Sequence, residues 1–428
     1  MLILTKSCLV LSGLTLFAVI GGLFAGQTTL WQLATVIAAV GLAIGLGAVP
    51  SLKGYQYTAW ILAAVVAAMI YPAAFIKWGD FDLRNKWVIL VVVQMVMFGM
   101  GTQMSLKDFV GVIKMPRGVV VAVACQFLVM PLSGWLLTNF FSLPDEIAAG
   151  VILIGCCSSG LASNVMCYIA KANLALSITA TSITTLIAPL MTPLWMKILA
   201  GRLVEVHFLG MMIEITKIVI VPIAAAMIHD YLKTATPGAM RWLTRAQAIC
   251  GTAVGWLLLQ RDAAWIAALS PGATLGLELL GFTLGAVAFG VLYHQLTKIL
   301  PRLDATMPLL SMAGIVYFTT VTTAAGRNNL LLVGGLLFIV AALHNTAGYF
   351  FGYWLARLAR LDKASCRTVA IEVGLQNGGM ASGIAGAMGK LATVGLAAAV
   401  FSPWMNISGS ILANHWSRRP VDGPAPKP

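Results

Sequence analysis

The chain has 428 residues, of which 60% are apolar and only 10% carry a charge. That balance excludes a soluble globular domain and leaves no polar stretch long enough for a separate aqueous one, so an α-helical chain that crosses a membrane many times remains. The net charge of +13 sits on Lys and Arg in short loops between apolar runs, which is the pattern of orientation signals rather than of a nucleic-acid surface.

In chain order, apolar runs predict fourteen helices, near 7–25, 30–49, 57–76, 87–105, 117–141, 146–170, 172–199, 206–230, 243–262, 272–298, 304–325, 330–357, 364–389 and 391–416. The first run is followed within a few residues by the next, with no small-residue cleavage site before a polar region. It therefore reads as a retained helix rather than a signal peptide. The run 243–262 is the least span-like: Arg241, Arg245, Arg261 and Asp262 flank it, and a short, tilted or interfacial segment fits it too. Threaded through a bilayer, 18 of the 27 Lys and Arg residues fall on one side and 8 on the other, with Lys217 inside a helix. The richer side, which holds both termini, is then cytoplasmic, in an inner (plasma) membrane. The seven cysteines form no CxxC spacing and the five histidines no ligand cluster, so neither a disulfide framework nor a metal centre is expected.

Two of the predicted helices are interrupted by polar residues at membrane depth. Within 146–170 stands Gly155-Cys156-Cys157-Ser158-Ser159-Gly160-Leu161-Ala162-Ser163-Asn164. Within 364–389 stands Glu372-Val373-Gly374-Leu375-Gln376-Asn377-Gly378-Gly379. An ionisable residue at that depth costs at least ~2.5–3.5 kcal/mol on insertion scales, so Glu372 marks a functional site. The glycines around it predict a helix that opens there and frees backbone carbonyls. The first interruption is entered from the outer loop at Asp145-Glu146 and the second from the inner Arg367 side. Broken helices that enter from opposite faces and cross at the midplane are the signature of inverted repeats in a secondary transporter.

A sodium ion at such a crossing needs a cage of oxygens, one of them often a carboxylate. Glu372 is the strongest candidate, with Gln376 one turn later; the alternative is a protonated Glu372 bonded to a neighbouring helix. Ser163 and Asn164 form a second polar group, and Ser177 and Thr181 lie one turn apart on the following helix. Alone, such hydroxyls serve packing or bond to the carbonyl one turn back. Gln126, five residues before Pro131, fits proline-kink packing as well as ion binding. Glu214 and Lys217 are spaced to neutralise each other, Glu278 fits packing as well as function, and Gln94, His344 and Asn345 are weaker candidates. No HExxH, Walker lysine loop, paired-aspartate motif or GxSxG elbow is present, so an enzyme is not expected.

The segments FGMGTQMSLKDF (98–109), GVILIGCCSSGLASNVMCYIAKANLALSITATSITTLIAPLMTP (150–193), IEVGLQNGGMAS (371–382) and WMNISGSILA (404–413) resemble the bile acid–sodium symporter family in its bacterial ten-helix form. The resemblance covers about 59–240 and 303–418. It implies an all-α polytopic membrane protein of two inverted five-helix repeats with crossing discontinuous helices, here with about four additional helices. It also implies two Na+ sites. One would use Ser163, Asn164, Ser177, Thr181 and Glu372. The other would use Gln126, Gln376, Glu372 and the main-chain carbonyls of Val373 and Leu375. A small organic anion would face Asn377, Asn406 and the backbone amides at Leu161 and Ala162.

The chain departs from the family pattern in three places. Leu161 stands where similar bacterial sequences often carry threonine, and Ser158-Ser159 replaces a Pro-Gly step. Two helical hairpins are extra, at 1–55 and 241–302; 56–240 holds the first inverted repeat and the start of the second, 303–417 the remainder of the second repeat, and 418–428 a cytoplasmic tail. The function expected is sodium-coupled symport of a small organic anion by alternating access, in a monomer or homodimer embedded in the lipid bilayer without nucleic acid. The alternatives are a sodium–proton antiporter without organic substrate and, more remotely, a membrane-embedded transferase.

Overall fold

The computed structural model describes residues 2–49, 52 and 55–419. Most of the tail expected at 418–428, and the loop cation Lys53, lie outside the described residues. The helices are α1 (Leu2–Phe24), α2 (Thr28–Gly45), α3 (Gln56–Ile70), α4 (Lys86–Gly101), α5 (Pro116–Phe140), α6 (Asp145–Cys156), α7 (Ala162–Ile169), α8 (Leu174–Trp195), α9 (Phe208–Ile215), α10 (Val221–Leu232), α11 (Pro237–Leu259), α12 (Pro271–Ile299), α13 (Leu303–Ala325), α14 (Arg327–Leu358), α15 (Lys363–Gly374), α16 (Gly378–Ala387) and α17 (Val394–Ser417). Among the described residues the strands are one two-residue pair, Lys77–Trp78 with Phe81–Asp82, turned at Gly79 (φ +61°). Beside that turn Arg84 lies 2.8 Å from Asp82 and holds its carboxyl down at about 2. The protein is an all-α polytopic membrane protein.

Helix starts follow local chemistry. Thr236 and Ser270 accept hydrogen bonds from the amides of Ala239 and Ala273, and each is followed by a proline at the first helical position, where a missing N–H costs nothing. The chain bends where the sequence predicted a continuous helix to 105. α4 stops at Gly101, Ser105 and Asp108 form a capping box, and the short helix Leu106–Lys114 leaves at 63°. Two π-helical turns, Met196–Ala200 and Thr216–Ile220, adjoin Pro193 and Pro222. Pro222 cannot donate to the carbonyl of Ile218 four residues back, and the widened turn Thr216–Ile220 accommodates that gap. Nine helices among the described residues are long and apolar enough to span a membrane. α11 is not one of them and buries no residue, in keeping with the flanking charges that set its sequence apart.

Packing repeats itself between two sets of five spans, counting α6/α7, α9/α10 and α15/α16 each as one. α3 packs on α13 as α10 packs on α4, and α5 packs on α6 as α14 packs on α15. α6 packs on α17 as α15 packs on α8, while α4 meets α13 and α5 meets α14 across the axis of exchange. An odd number of spans per set makes the second set enter from the opposite face. The extra helices obey the same exchange: α2 packs on α3 with α1 behind it, and α12 packs on α10 with α11 behind it.

The second set's first span carries an ion cluster. Lys217, in the π turn, lies 2.5 Å from Glu214 and 2.8 Å from Glu278 of α12, so the expected pair is a triad that fastens the extra helix. Lys217 is buried, whereas both carboxylates are more than a third exposed and therefore screened. Leaving a buried charge without partners costs about 3–5 kcal/mol, more than removing the charge itself. Thermal unfolding of the purified protein is therefore expected to show a larger loss for Glu214→Gln with Glu278→Gln together than for Lys217→Met. The opposite order would mean that Lys217 does not depend on them.

Candidate functional site

The two interrupted helices meet at their breaks. α6 ends at Cys156, and Cys157 is extended (φ −77°, ψ 166°). α15 ends at Gly374, with Leu375 likewise extended (φ −104°, ψ 96°). The unwound strands pair antiparallel at Ser159 and Gln376: Gly160 N–H donates to Leu375 O at 2.9 Å, and Asn377 N–H donates to Ser158 O at 2.8 Å. Each break thereby satisfies backbone groups that hydrocarbon would leave bare. Gly160 is needed for this approach, since a Cβ there would stand 2.7 Å from Gln376 O. Asn345 of α14 donates to Gly374 O at 2.8 Å, and Ser408 donates to Asn345 Oδ1 at 2.6 Å.

Glu372 lies in the last turn of α15, three residues ahead of the break, so the helix opens after the carboxylate rather than at it. Its side chain is buried and points to α8. Ser177 Oγ donates to Oε1, and Thr181 Oγ1 donates to Oε2 at 2.8 Å. Asn164 Oδ1 stands 2.8 Å from the same Ser177 Oγ, and Ser163 Oγ stands 3.4 Å from Thr181 Oγ1 while donating to Gly160 O. Ser163, Asn164, Ser177, Thr181 and Glu372 thus form one network drawn from α7, α8 and α15. All its potential donors are oxygens, with a single carboxylate, which suits a hard monovalent cation far better than a transition metal. No cluster of His, Cys, Asp and Glu among the described residues could hold a metal of the latter kind.

A second network adjoins the bridge through Gln376 and Cys157. Gln126 Nε2 donates to Gln376 Oε1 at 2.8 Å and to Cys157 O at 2.9 Å, and Gln376 Nε2 donates to Val373 O at 2.6 Å. Gln126, Gln376 and the Val373 carbonyl therefore converge, while the Leu375 carbonyl is engaged by Gly160 in the bridge. Ser159 joins the two networks: its hydroxyl donates to Glu372 O at 3.2 Å, approaches Gln126 Oε1 at 3.5 Å and also lies within reach of the Glu372 carboxylate. Sequence reasoning passed over Ser159 as a site residue. Its signal lies in the Ser-Ser step that departs from Pro-Gly, because the glycine at the second position could not supply a hydroxyl at the crossing.

The residues expected to face an anion divide into two kinds. Asn377 caps α16, accepting from Met380 N–H at 3.0 Å, and its amide group reaches Ser158 Oγ at 3.5 Å. Leu161 begins α7 without any side-chain cap, so with Ala162 it leaves that N-terminus open. Asn406 donates to Ser402 O one turn back and is buried in α17. Among the weaker candidates, His344 bonds to Met130 O at 2.9 Å and packs against Gly155, and Gln94 bonds to Lys217 O beside the π turn. Neither belongs to the two networks.

A sequence model of the Sodium Bile acid symporter family matches residues 90–261. An uncharacterized sodium-dependent transporter, YocS, of Bacillus subtilis is 32% identical over 86% of this chain and 92% of its own length. The chain belongs to this family. Also similar are the probable chloroplastic sodium/metabolite cotransporter BASS1 of Arabidopsis thaliana, at 27% over 84% of this chain and 72% of its own, and the human ileal sodium/bile acid cotransporter, at 29% over 68% and 66%. Membership of the sodium bile acid symporter family makes this a multi-pass membrane protein of sodium-coupled transport. The family is one of transporters.

The close approach of the breaks yields a test. Overpacking a tight contact costs about 1–3 kcal/mol, and Gly160→Ala puts its methyl against backbone rather than a movable side chain. Gly160→Ala is expected to lower the melting temperature and weaken sodium-dependent stabilisation, while Gly272→Ala, where nothing lies within 4 Å, leaves both unchanged. Equal behaviour of the two variants would count against the bridge.

Proposed function

We propose that the protein is a sodium symporter that carries a small organic anion inward by alternating access, with the crossing of the two breaks as its shared site. The observation that carries this reading is the buried Glu372 carboxylate taking hydroxyl hydrogen bonds from Ser177 and Thr181 across helices. One Na+ binds Ser163, Asn164, Ser177, Thr181 and Glu372. A second binds Gln126, Gln376, Glu372 and the carbonyls of Val373 and Leu375, with Ser159 between the two ions. The anion meets the open amides at Leu161 and Ala162, where the positive end of the α7 dipole attracts negative charge, together with Asn377 and Asn406.

Coupling follows from what the ions hold. Sodium at Glu372 ties α15 to α7 and α8, and the same α7 presents its N-terminus to the anion. Binding of the ions therefore orders the groups that receive the substrate. The chain catalyses no covalent reaction in this reading. It works as a monomer or homodimer in the plasma membrane, with both termini cytoplasmic and the hairpins 1–55 and 241–302 set outside the ten-helix unit.

Two sodium ions with a monoanion move one net positive charge inward. Uptake into proteoliposomes is therefore expected to require an inward sodium gradient and to be faster when the interior is negative. Sodium-driven proton efflux with no organic substrate would instead identify an antiporter. Glu372→Gln keeps the shape of the side chain and removes its charge. The variant is expected to lose sodium-dependent thermal stabilisation, and retention of it would remove Glu372 from both ion sites.

A further inference from the structure

A buried charge outside both networks stands near the start of α15. Arg367 is 1% exposed, and among the described residues no carboxylate pairs with it. Its guanidinium donates instead to two main-chain carbonyls, through Nη1 to Ala170 O at 3.0 Å and through Nη2 to Arg419 O at 3.1 Å. It also lies 5.8 Å from the centre of the Trp416 ring. Both carbonyls belong to helix ends: Ala170 caps α7, and Arg419 follows the cap of α17 at Arg418. Terminal carbonyls have no partner within their own helix, and each helix C-terminus carries about half a negative charge. Two of them together stand in for the carboxylate that Arg367 lacks.

The contact joins two of the helices that build the first network. α7 carries Ser163 and Asn164 in its first turn and ends at Ala170, while Glu372 lies five residues beyond Arg367, about 7.5 Å along α15. The turn after α7 is laced to the same part of α15. Asn173 N–H donates to Ala364 O at 3.4 Å, and Thr368 Oγ1 donates to Asn173 O at 3.0 Å. Lys171 within that turn is left-handed (φ 52°), a conformation that a non-glycine residue keeps only when its surroundings hold it. The other set of spans makes the corresponding junction differently. α6 has twelve residues, as α15 has, and carries Ala149 where α15 carries Arg367. Its start is tied to the turn after α16 by an ion pair of Glu146 with Lys390, whose side chains are 38% and 34% exposed, and the left-handed residue there is Gly389. The buried arginine thus belongs only to the junction beside Glu372.

We propose that Arg367 is a positioning residue for sodium: it seats the end of α7 on α15 and so keeps Ser163 and Asn164 within reach of Glu372. The inference rests on the reading of Glu372 as a sodium ligand. Arg367 itself touches neither ion nor anion. It acts through the fraction of molecules in which α7 is seated, and a site formed in a tenth of the molecules binds about tenfold more weakly.

The test is the melting temperature of the purified full-length protein across a NaCl series, with ionic strength held constant by KCl, from which the half-saturating sodium concentration is read. Arg367→Met is expected to raise that concentration about tenfold, the effect of one lost hydrogen bond from a charged donor, with the full sodium-dependent shift regained at saturating NaCl. Arg367→Lys keeps the charge and can reach one carbonyl. It is expected to fall between Arg367→Met and the wild type, and it carries the test where Arg367→Met does not fold. Lys390→Met, which opens the corresponding tie in the other set, is expected to stay within about twofold of the wild type. A lowered melting temperature with an unchanged half-saturating concentration in the arginine variants would make Arg367 purely structural and overturn the inference. An equal rise in Lys390→Met would overturn it too, because any loosening of the fold would then weaken sodium binding. A wild-type protein that sodium does not stabilise would overturn the sodium reading itself, and this inference with it.

Discussion

Everything at the centre of this protein depends on how two unwound segments are paid for inside a membrane. An extended stretch in hydrocarbon exposes N–H and C=O groups, each costing several kcal/mol without a partner. Here the partner is the other break. The pairing of Ser159 with Gln376 closes both segments at once, with Asn345 covering the carbonyl of Gly374. Neither helix can therefore break alone. The twofold exchange of packing between the two sets of spans is the larger expression of the same constraint, since symmetry brings the two breaks to one point.

Once the backbone is satisfied, the side chains around it are free to form the two polar networks proposed to bind sodium. Glu372 remains helical, so its position is set by α15 rather than by a flexible loop, and the hydroxyls that meet it come from the rigid α8. Preorganisation of this kind holds an oxygen cage open without a second charge. The division of labour is plain at Ser159, which sits in the break itself and touches both networks. A change in the pairing of the breaks would move this hydroxyl and so alter both networks together.

Much of this was legible in the sequence because membrane insertion penalises polar residues so heavily. Glu372, Asn164 and Gln126 stand out in apolar runs for that reason alone. The fourteen predicted helices match the observed ones once the two pieces of each interrupted helix are taken together, although 87–105 ends early at Gly101 and 243–262 is not long and apolar enough to span. The existence of each break was also legible, since glycines beside serines and amides cannot serve a lipid-facing helix. What escaped was local and depended on partners distant in sequence. The bend after Gly101 arises from a Ser105–Asp108 capping box that apolar periodicity does not register. The third member of the Lys217 triad, Glu278, lies 61 residues away on an extra helix. Ser159 escaped because its role is defined by Gln376 across the crossing, a contact that no periodicity in either segment encodes.

The extra hairpins raise the question of why additions should respect the symmetry of the core. α1/α2 precede the first span of one set and α11/α12 follow the first span of the other, so chain order does not make them equivalent. Space does: each packs on the first span of its set, α3 or α10, through its nearer helix. Those first spans pack on α13 and α4, whereas the two polar networks are built from α5, α7, α8, α15 and the breaks. Additions at α3 and α10 thus enlarge the protein without loading the helices that carry Glu372 and its hydroxyl partners. The Lys217 triad fits this logic, for it fastens α12 to the span of α9 and α10 rather than to the crossing. The arrangement confines added mass to the layer around the site and leaves the oxygen cage to the crossing alone.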